Sequence, residues 1–140
     1  MPFVSITRLR VRSWRYLPAF LVQSLRSARQ AKAAPGNLAV GLLRDADLVF
    51  WTRTLWAGEP AMRAFMVSGV HGHVMPRLLH WCGEAAVAHW TQESVAPPSW
   101  PEAHRRLRQD GRRSKVSHPS PAQQRFEFPA PRTGGERRIK

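Results

Sequence analysis

The residue type best suited to chemistry in this sequence is the histidine at position 71, which follows Ser68-Gly69-Val70 at a predicted helix start. A neutral imidazole is a common axial ligand of haem iron, and it titrates near neutral pH. Met75 lies four residues later, so it shares a helical face with His71 and can line the same cavity. Two interpretations stay open: His71 as a haem ligand, or His71 as a cap or hydrogen-bonding partner of a loop. A methionine at this spacing is more often part of core packing.

Large and charged side chains on predicted strands form a second group of candidates. Arg8 and Arg53 take central strand positions, where a guanidinium group attracts an acidic ligand; alternatively, each is buried and paired. Trp51 and Trp90 suit packing against a flat or polyene ligand, or packing in the core and at a dimer interface. We therefore predict a ligand pocket lined by Arg8, Trp51, Arg53, Met75, His89 and Trp90.

Sequence motifs for catalysis or metal binding are absent. There is no nucleophile elbow, phosphate loop, paired-carboxylate site or dinucleotide fingerprint. The first 93 residues hold five acidic side chains, too few to favour carboxylate acid–base chemistry. His80, Cys82 and His89 lack the spacing of a zinc site, and neither CxxC nor HExxH occurs. We expect no metal, and the sequence identifies no catalytic residue.

The elements that must position these side chains follow the order βαββαβ. Alternating side chains predict four strands, and apolar residues at spacings of three and four predict two helical regions. Ser13 is a plausible cap for the first helix and Pro35-Gly36 ends it, while Ser68-Gly69 is expected to break the second. The strands are predicted at 3–11, 37–43, 48–56 and 84–93, and the helical regions at 13–35 and 58–82.

This order predicts an α+β, ferredoxin-like fold with an antiparallel sheet and both helices on one side. The third strand carries bulky residues on both faces, so the sheet face without helices is expected to be apolar. An exposed apolar face usually marks an interface or a ligand cavity. We therefore expect two copies to pack sheet against sheet in a homodimer, a dimeric α+β barrel.

The composition changes after residue 93. Seven prolines lie between positions 97 and 131, and apolar residues become sparse. The chain has a net charge of +13, of which residues 1–93 carry +6 and the remainder +7. Such a segment is typical of weakly ordered chain, because it buries little apolar surface. We expect a domain over 1–95 and a basic, Pro-rich tail over 96–140, with a short helix near 101–110 and disorder beyond it.

The compartment is predicted from cysteine use and hydropathy. The single Cys82 excludes an intrachain disulfide, so nothing points to an oxidising compartment. No stretch reaches the roughly 18 apolar residues of a membrane span. The first six residues run directly into a strand pattern rather than a charged leader followed by an apolar run. We expect a cytoplasmic protein without a membrane span.

Several segments resemble bacterial spheroidene-monooxygenase-like proteins. The similar segments are 7–18, 25–31, 50–56, 62–71 and 113–119, and the resemblance extends over roughly 3–118. The resemblance places the chain with the dimeric α+β barrels, which include antibiotic-biosynthesis monooxygenases. It also implies oxygenase chemistry on a hydrophobic small molecule, with haem as the candidate cofactor and His71 as the candidate ligand. The sequence departs from the family at Gly72 and His73, where a bulkier or basic residue is common.

Three functions from different classes follow. The first is a spheroidene monooxygenase-like oxygenase or ligand-binding protein acting on a hydrophobic small molecule. The alternative is a non-catalytic dimeric α+β barrel that binds or interacts without redox chemistry. The third is nucleic-acid binding through the basic tail, which we rank last because no aromatic-in-basic motif of an RNA or DNA module is present.

Overall fold

A computed structural model describes residues 1–140. Its first eight elements confirm the α+β order and the break within the second helical region. Their bounds are β1 Phe3–Val11, a 3-10 turn Trp14–Tyr16, α1 Leu17–Ala33, β2 Asn37–Arg44, β3 Val49–Trp56, α2 Glu59–Met66, α3 Gly69–Trp81 and β4 Cys82–Thr91. Further elements follow: α4 Trp100–Asp110, β5 Arg112–Arg113, α5 Pro121–Arg125, a 3-10 turn Thr133–Gly135 and β6 Glu136–Arg138.

The sheet is antiparallel with six strands in the order β5-β4-β1-β3-β2-β6. Strand β1 is central and pairs with β3 and β4, so that Ser5 lies opposite both Thr54 and His89. Because paired residues point to the same face and parity alternates along each strand, the register fixes which side chains share a face. The short strands β5 and β6 extend the two edges.

Helices α1, α2 and α3 cover one face of the sheet. Proline at position 18 fits the first turn of α1, where a missing N–H is tolerated. The helix ends before Gly36, whose φ of +82° lies in the left-handed region open to glycine. Buried apolar residues on this side form two clusters, one around Trp56 and Met62 and one around Phe20 and Val74.

The chain's own C-terminal segment, residues 96–140, covers the other face. Trp100, Ala103, Leu107 and Phe128 are buried in one cluster with sheet residues such as Trp51. The expectation of an open sheet face and of disorder beyond the short helix was therefore wrong. It was drawn from the low apolar content of the segment, which does not show how the few apolar residues are spaced. Positions 100, 103 and 107 recur at helical intervals and place three apolar side chains on one face of α4.

Polar contacts hold the same segment in place. The side chain of Gln123 is buried, accepts a hydrogen bond from the Ala85 N–H at 3.0 Å and donates to the Ala85 carbonyl at 3.0 Å. It also donates to the Ser114 carbonyl. The boundary predicted at residue 95 remains a prediction, but the segment beyond it shares the sheet's hydrophobic core. None of the helices combines the length and apolar character needed to cross a membrane.

Candidate functional site

A cavity of about 120 Å³ lies between the sheet and helices α1, α2 and α3. Its lining is largely apolar, and it contains no Lys, Arg, Asp or Glu side chain. Its size resembles an engineered protein cavity of roughly 150 Å³ that binds benzene. The space therefore suits one aromatic ring or the end of a longer apolar molecule.

Hydroxyl side chains form the floor of this cavity. Ser5 and Thr7 of β1 pair with Thr54 and Thr52 of β3, so strand alternation places all four on the helix-covered face. The hydroxyl of Thr54 accepts a hydrogen bond from the Trp56 indole at 2.9 Å and donates to the Ser5 carbonyl at 3.4 Å. A ligand in the cavity meets a polar floor beneath apolar walls.

His71 lines the cavity from the first turn of α3. Its ring packs against Phe65 of α2, with centroids 4.6 Å apart, and its backbone N–H donates to the Gln30 side chain of α1 at 2.9 Å. The ring Nδ1 lies 2.9 Å from the Met66 carbonyl oxygen. Since a carbonyl oxygen only accepts, Nδ1 carries the proton and donates.

The environment keeps the His71 imidazole neutral. Burial lowers its pKa below the ordinary value of 6.5, and the hydrogen bond to the Met66 carbonyl opposes this only in part. With the proton on Nδ1, Nε2 holds a free lone pair, and no protein group bonds to it. A neutral imidazole with an unbonded Nε2 at a cavity wall can accept a proton or a hydrogen bond from a ligand.

Ser27 of α1 contributes an unpaired polar atom to the cavity wall. Its hydroxyl oxygen is buried and has no hydrogen-bond partner in the protein. Leaving a buried hydroxyl unpaired costs roughly 1–3 kcal/mol.

His89 and Met75 also line the cavity. Met75 lies one turn after His71 on α3. The pKa of His89 is lowered by burial first, and then by the positive charges of Arg112 and Arg63, while Glu59 opposes them. His89 is the only other titratable side chain among the lining residues, so the cavity holds two neutral imidazoles.

The structure separates the predicted pocket residues into two sets. His71, Met75 and His89 line the cavity, but Arg8, Trp51, Arg53 and Trp90 do not. The reason is strand parity, because Arg8 pairs with Trp51 on the face that the C-terminal segment covers. The predicted set mixed side chains from both faces of the sheet.

Both arginines of the covered face are buried with partners. Arg8 donates to Glu84 at 2.6 Å, and its guanidinium group lies 4.3 Å from the Phe128 ring centroid. Burial lowers the pKa of Arg8, against the raising effect of Glu84. Arg53 donates to the Pro98 carbonyl at 2.8 Å and forms an ion pair with Glu136. Its guanidinium group lies 4.4 Å from the Trp100 ring centroid. Arg53 therefore holds the C-terminal segment through polar contacts, whereas Arg8 joins β1 to β4 and meets the segment at the Phe128 ring.

Trp90 lies at the margin of the covered face, where it packs against the apolar cluster and carries the Arg106 guanidinium group 5.0 Å from its ring centroid. Cys82 is fully buried, and burial raises the pKa of its thiol to about 12, which keeps it protonated. No group of three or more His, Cys, Asp or Glu side chains is placed to hold a metal ion.

The cavity does not fit haem. Pockets for drug-sized ligands measure roughly 300–1,000 Å³, whereas this cavity measures about 120 Å³. Haem also carries two propionates, and the lining offers no cation to pair with them. The lining residues therefore favour a reaction between a small apolar ligand and His71 that does not involve haem.

The polar features of the cavity were missed from the sequence, although two signals pointed to them. On β1, the face opposite Arg8 carries Ser5 and Thr7 before Leu9. These hydroxyl side chains are unusually polar for a sheet face that is covered by helices. On α1, the inward face bears the small residues Ser24, Ser27, Ala28 and Ala31. Small side chains facing a polar sheet surface leave space between the two layers.

No protein-family model matches the chain, and no curated protein matches it. Solved structures do. A putative antibiotic biosynthesis monooxygenase from Nitrosomonas europaea has a TM-score of 0.59 at 16% identity, covering 65% of this chain and 89% of its own. A single-site mutant of SnoaB, a cofactor-independent oxygenase from Streptomyces nogalater, has a TM-score of 0.57 at 17% identity, covering 69% and 98%.

Rv0793 from Mycobacterium tuberculosis has a TM-score of 0.62 at 14% identity, covering 67% of this chain and 97% of its own. At these identities the likeness shows the fold alone. The chain has the ferredoxin-like α+β fold of antibiotic biosynthesis monooxygenases. The matches span nearly all of the other chains and leave about a third of this one without a counterpart.

Proposed function

We propose that this protein is an oxygenase-like protein that binds a hydrophobic small molecule in the cavity between the sheet and helices α1–α3. The observation that carries the proposal is a ring-sized apolar cavity in which His71 is neutral, fixed through Nδ1 and unbonded at Nε2. The fold it shares with SnoaB, described as a cofactor-independent oxygenase, supports the same reaction class.

The proposed substrate class is a ring that carries an ionisable hydroxyl or an acidic C–H. His71 Nε2 accepts that proton, since the lowered pKa keeps the imidazole in its basic form at neutral pH. The resulting anion reduces dioxygen: the ring carbon that carries the negative charge forms a C–O bond, and the proton held by His71 completes a hydroperoxide at that carbon. The O–O bond then breaks, the second oxygen atom leaves as water together with the hydrogen of that carbon, and the carbon is oxidised to a carbonyl. The hydroxyl floor orients the polar group of the ligand.

The sequence resemblance leads to a more specific proposal for the substrate, a spheroidene-type polyene. A cavity of about 120 Å³ encloses only one end of such a chain, so the remainder would extend beyond it. The polyene proposal therefore predicts that short polyene ends compete with single-ring ligands for the same space.

The experiment compares binding and oxygen uptake for phenol, benzene and spheroidene. Tryptophan fluorescence and calorimetry report binding, and an oxygen electrode reports turnover. We expect phenol to bind more tightly than benzene, and His71→Ala to abolish oxygen uptake. The matched control is His73→Ala, because His73 is exposed on the same helix and does not line the cavity. Full oxygen uptake in His71→Ala would refute the assigned role.

A second candidate is a non-catalytic binding protein that uses the same cavity. The observation that favours it is the absence of any charged side chain in the lining, which leaves His89 as the only other proton-transfer group. This candidate predicts tight binding of single-ring ligands without oxygen uptake in the unaltered protein, so the same two measurements separate it from the oxygenase.

Two expectations from the sequence, the cytoplasmic location and the homodimer, need separate tests. Residence in a reducing cytoplasm is proposed from the single Cys82, which is buried and protonated, and cell fractionation tests it. The sheet-to-sheet homodimer would require the C-terminal segment to leave the face that it covers.

A further inference from the structure

We propose that Gln30 of α1 is the positioning residue for His71, holding the junction of α2 and α3 so that the imidazole keeps one tautomer and one orientation toward the cavity. The catalytic meaning of this role rests on the proposed function. The positioning itself rests on geometry and can be tested separately.

The Gln30 side chain uses both ends of its amide across this junction. The oxygen Oε1 accepts a hydrogen bond from the backbone N–H of His71 at 2.9 Å. The nitrogen Nε2 donates to the Ser68 carbonyl at 2.8 Å and lies 3.2 Å from the Ser68 hydroxyl. One side chain of α1 therefore binds the residue before α3 and the third residue of α3 at once.

The junction depends on this contact because its backbone is irregular. Gly69 has φ +54°, and a Cβ at that position would lie 3.0 Å from Gln30 Nε2. Glycine therefore supplies both the left-handed conformation and the space for the amide. The first residues of α3 have no preceding turn to accept their N–H groups, and Gln30 accepts the one that belongs to His71.

The tautomer of His71 follows from the same geometry. Its Nδ1 donates to the carbonyl of Met66, which lies on the α2 side of the junction, while the ring belongs to α3. That 2.9 Å contact spans the break, so it persists only while the two helix ends keep their relative position. The partner of one ring nitrogen sets the state of the other, and here it leaves Nε2 as the acceptor.

An amide is the side chain that fits this role. A carboxylate accepts from the His71 N–H but cannot donate to Ser68, and an apolar side chain of similar length does neither. Gln30→Glu and Gln30→Met therefore separate the two halves of the contact. Gln23→Ala is the matched control, because Gln23 lies on the same helix and its side chain hydrogen-bonds to Arg26 rather than to the α2–α3 junction.

The experiment measures the ring nitrogens of His71 by NMR in the full-length protein, with the His71 pKa taken from the same titration. We expect one tautomer protonated at Nδ1 in the unaltered protein and in Gln23→Ala. In Gln30→Met we expect a mixture of tautomers and a pKa that moves up toward about 6.5, the ordinary histidine value. In Gln30→Glu the added negative charge raises the pKa further.

The outcome that overturns the proposal is a Gln30→Met protein that melts at a lower temperature but keeps the tautomer and the pKa of His71. That result would give Gln30 a role in stability alone. Failure of the proposed function looks different, because His71→Ala would then leave ligand binding and oxygen uptake unchanged while Gln30→Met still altered the tautomer. His89, the other titratable residue of the cavity, is followed in the same spectra as an internal reference.

Discussion

At the residue scale, the lowered pKa of His71 links folding to pH. Burial disfavours the charged imidazole in the folded protein, whereas the unfolded chain binds a proton at about pH 6.5. Between these two pKa values the unfolded state holds more protons, so stability falls as pH drops below about 6.5. His89, lowered first by burial and then by the charges of Arg112 and Arg63, adds to the same trend.

We therefore predict that the urea concentration at the midpoint of unfolding decreases when the pH is lowered from about 7.5 to about 5. His71→Gln should reduce this dependence, since glutamine does not titrate. His73→Gln, at an exposed position outside the cavity, is the matched control. A pH dependence that is equal in both variants would contradict the assignment to His71.

The unpaired hydroxyl of Ser27 leads to a second residue-scale prediction. Ser27→Ala removes a buried oxygen that has no partner, so we expect the free energy of unfolding to stay equal or to rise by about 1 kcal/mol. If the hydroxyl serves a ligand, affinity for phenol should fall while affinity for benzene is kept. Ser24→Ala, one turn earlier on the same wall, is the matched control. Stability loss without change in phenol binding would assign Ser27 to packing.

At the element scale, β1 and β4 are joined by a buried ion pair as well as by backbone hydrogen bonds. Arg8 and Glu84 are each almost fully buried, and Glu84 also accepts from Ser120 at 2.8 Å and Arg10 at 3.2 Å. Burial alone would raise the pKa of Glu84, but the hydrogen bonds from Arg8 and Ser120 outweigh it and hold the pKa below its usual value. This contribution is present above about pH 4.5 and is lost as pH falls through the lowered pKa.

Removing one partner of this pair should cost far more than removing both. Glu84→Gln leaves a buried guanidinium group without its counter-charge, and we expect a loss of about 3–5 kcal/mol in the free energy of unfolding. Arg8→Met combined with Glu84→Leu should restore most of it, because apolar side chains of similar size suit the surrounding core. Urea unfolding of Arg8→Met, Glu84→Leu and the double variant gives the coupling energy. Additive losses would contradict the buried pair.

The elements were predictable where local pattern decides them. Alternation in β1 and β3, helical spacing in α1 and the break at Ser68-Gly69 all follow from neighbouring residues, and the structure places elements there. The α+β order followed in turn. The sequence did not predict which face of each strand turns toward the helices, because apolar residues occupy both faces of β3. That choice depends on what covers the second face.

At the scale of the whole molecule, the C-terminal segment covers the second face of the sheet. The amino-acid composition of the segment did not predict this packing. Its positive charge and prolines lie mostly at exposed positions, while a few residues at the correct spacing, such as Trp100 and Leu107, are buried. The cavity was also beyond prediction as a set, because Ser27, Thr54 and His71 come from separate elements and meet only through tertiary packing. His71 alone could be selected, since its residue type and predicted helix start mark it locally.

The covered sheet face predicts that the full-length chain is a monomer at micromolar concentration. Sheet-to-sheet pairing would bring Arg8 and Arg53 of both copies into one interface. Here Arg53 draws its partners, a carbonyl and a carboxylate, from the C-terminal segment, which a pairing copy would displace. Burying a guanidinium group without such partners is strongly unfavourable. Light scattering of the purified chain should therefore give the mass of one copy, 15.9 kDa.

Leu107→Asp tests whether the segment causes this. Leu107 is fully buried against the sheet, so a charge there should loosen the segment and expose the apolar face, giving a larger mass or aggregation. Val95→Asp adds the same charge at a position 71% exposed, just before the segment, and should remain a monomer. A stable dimer in the unaltered chain, unchanged by Leu107→Asp, would mean that copies associate through another surface. A dimer that appears only in Leu107→Asp would show that the segment occupies the place where a second copy packs.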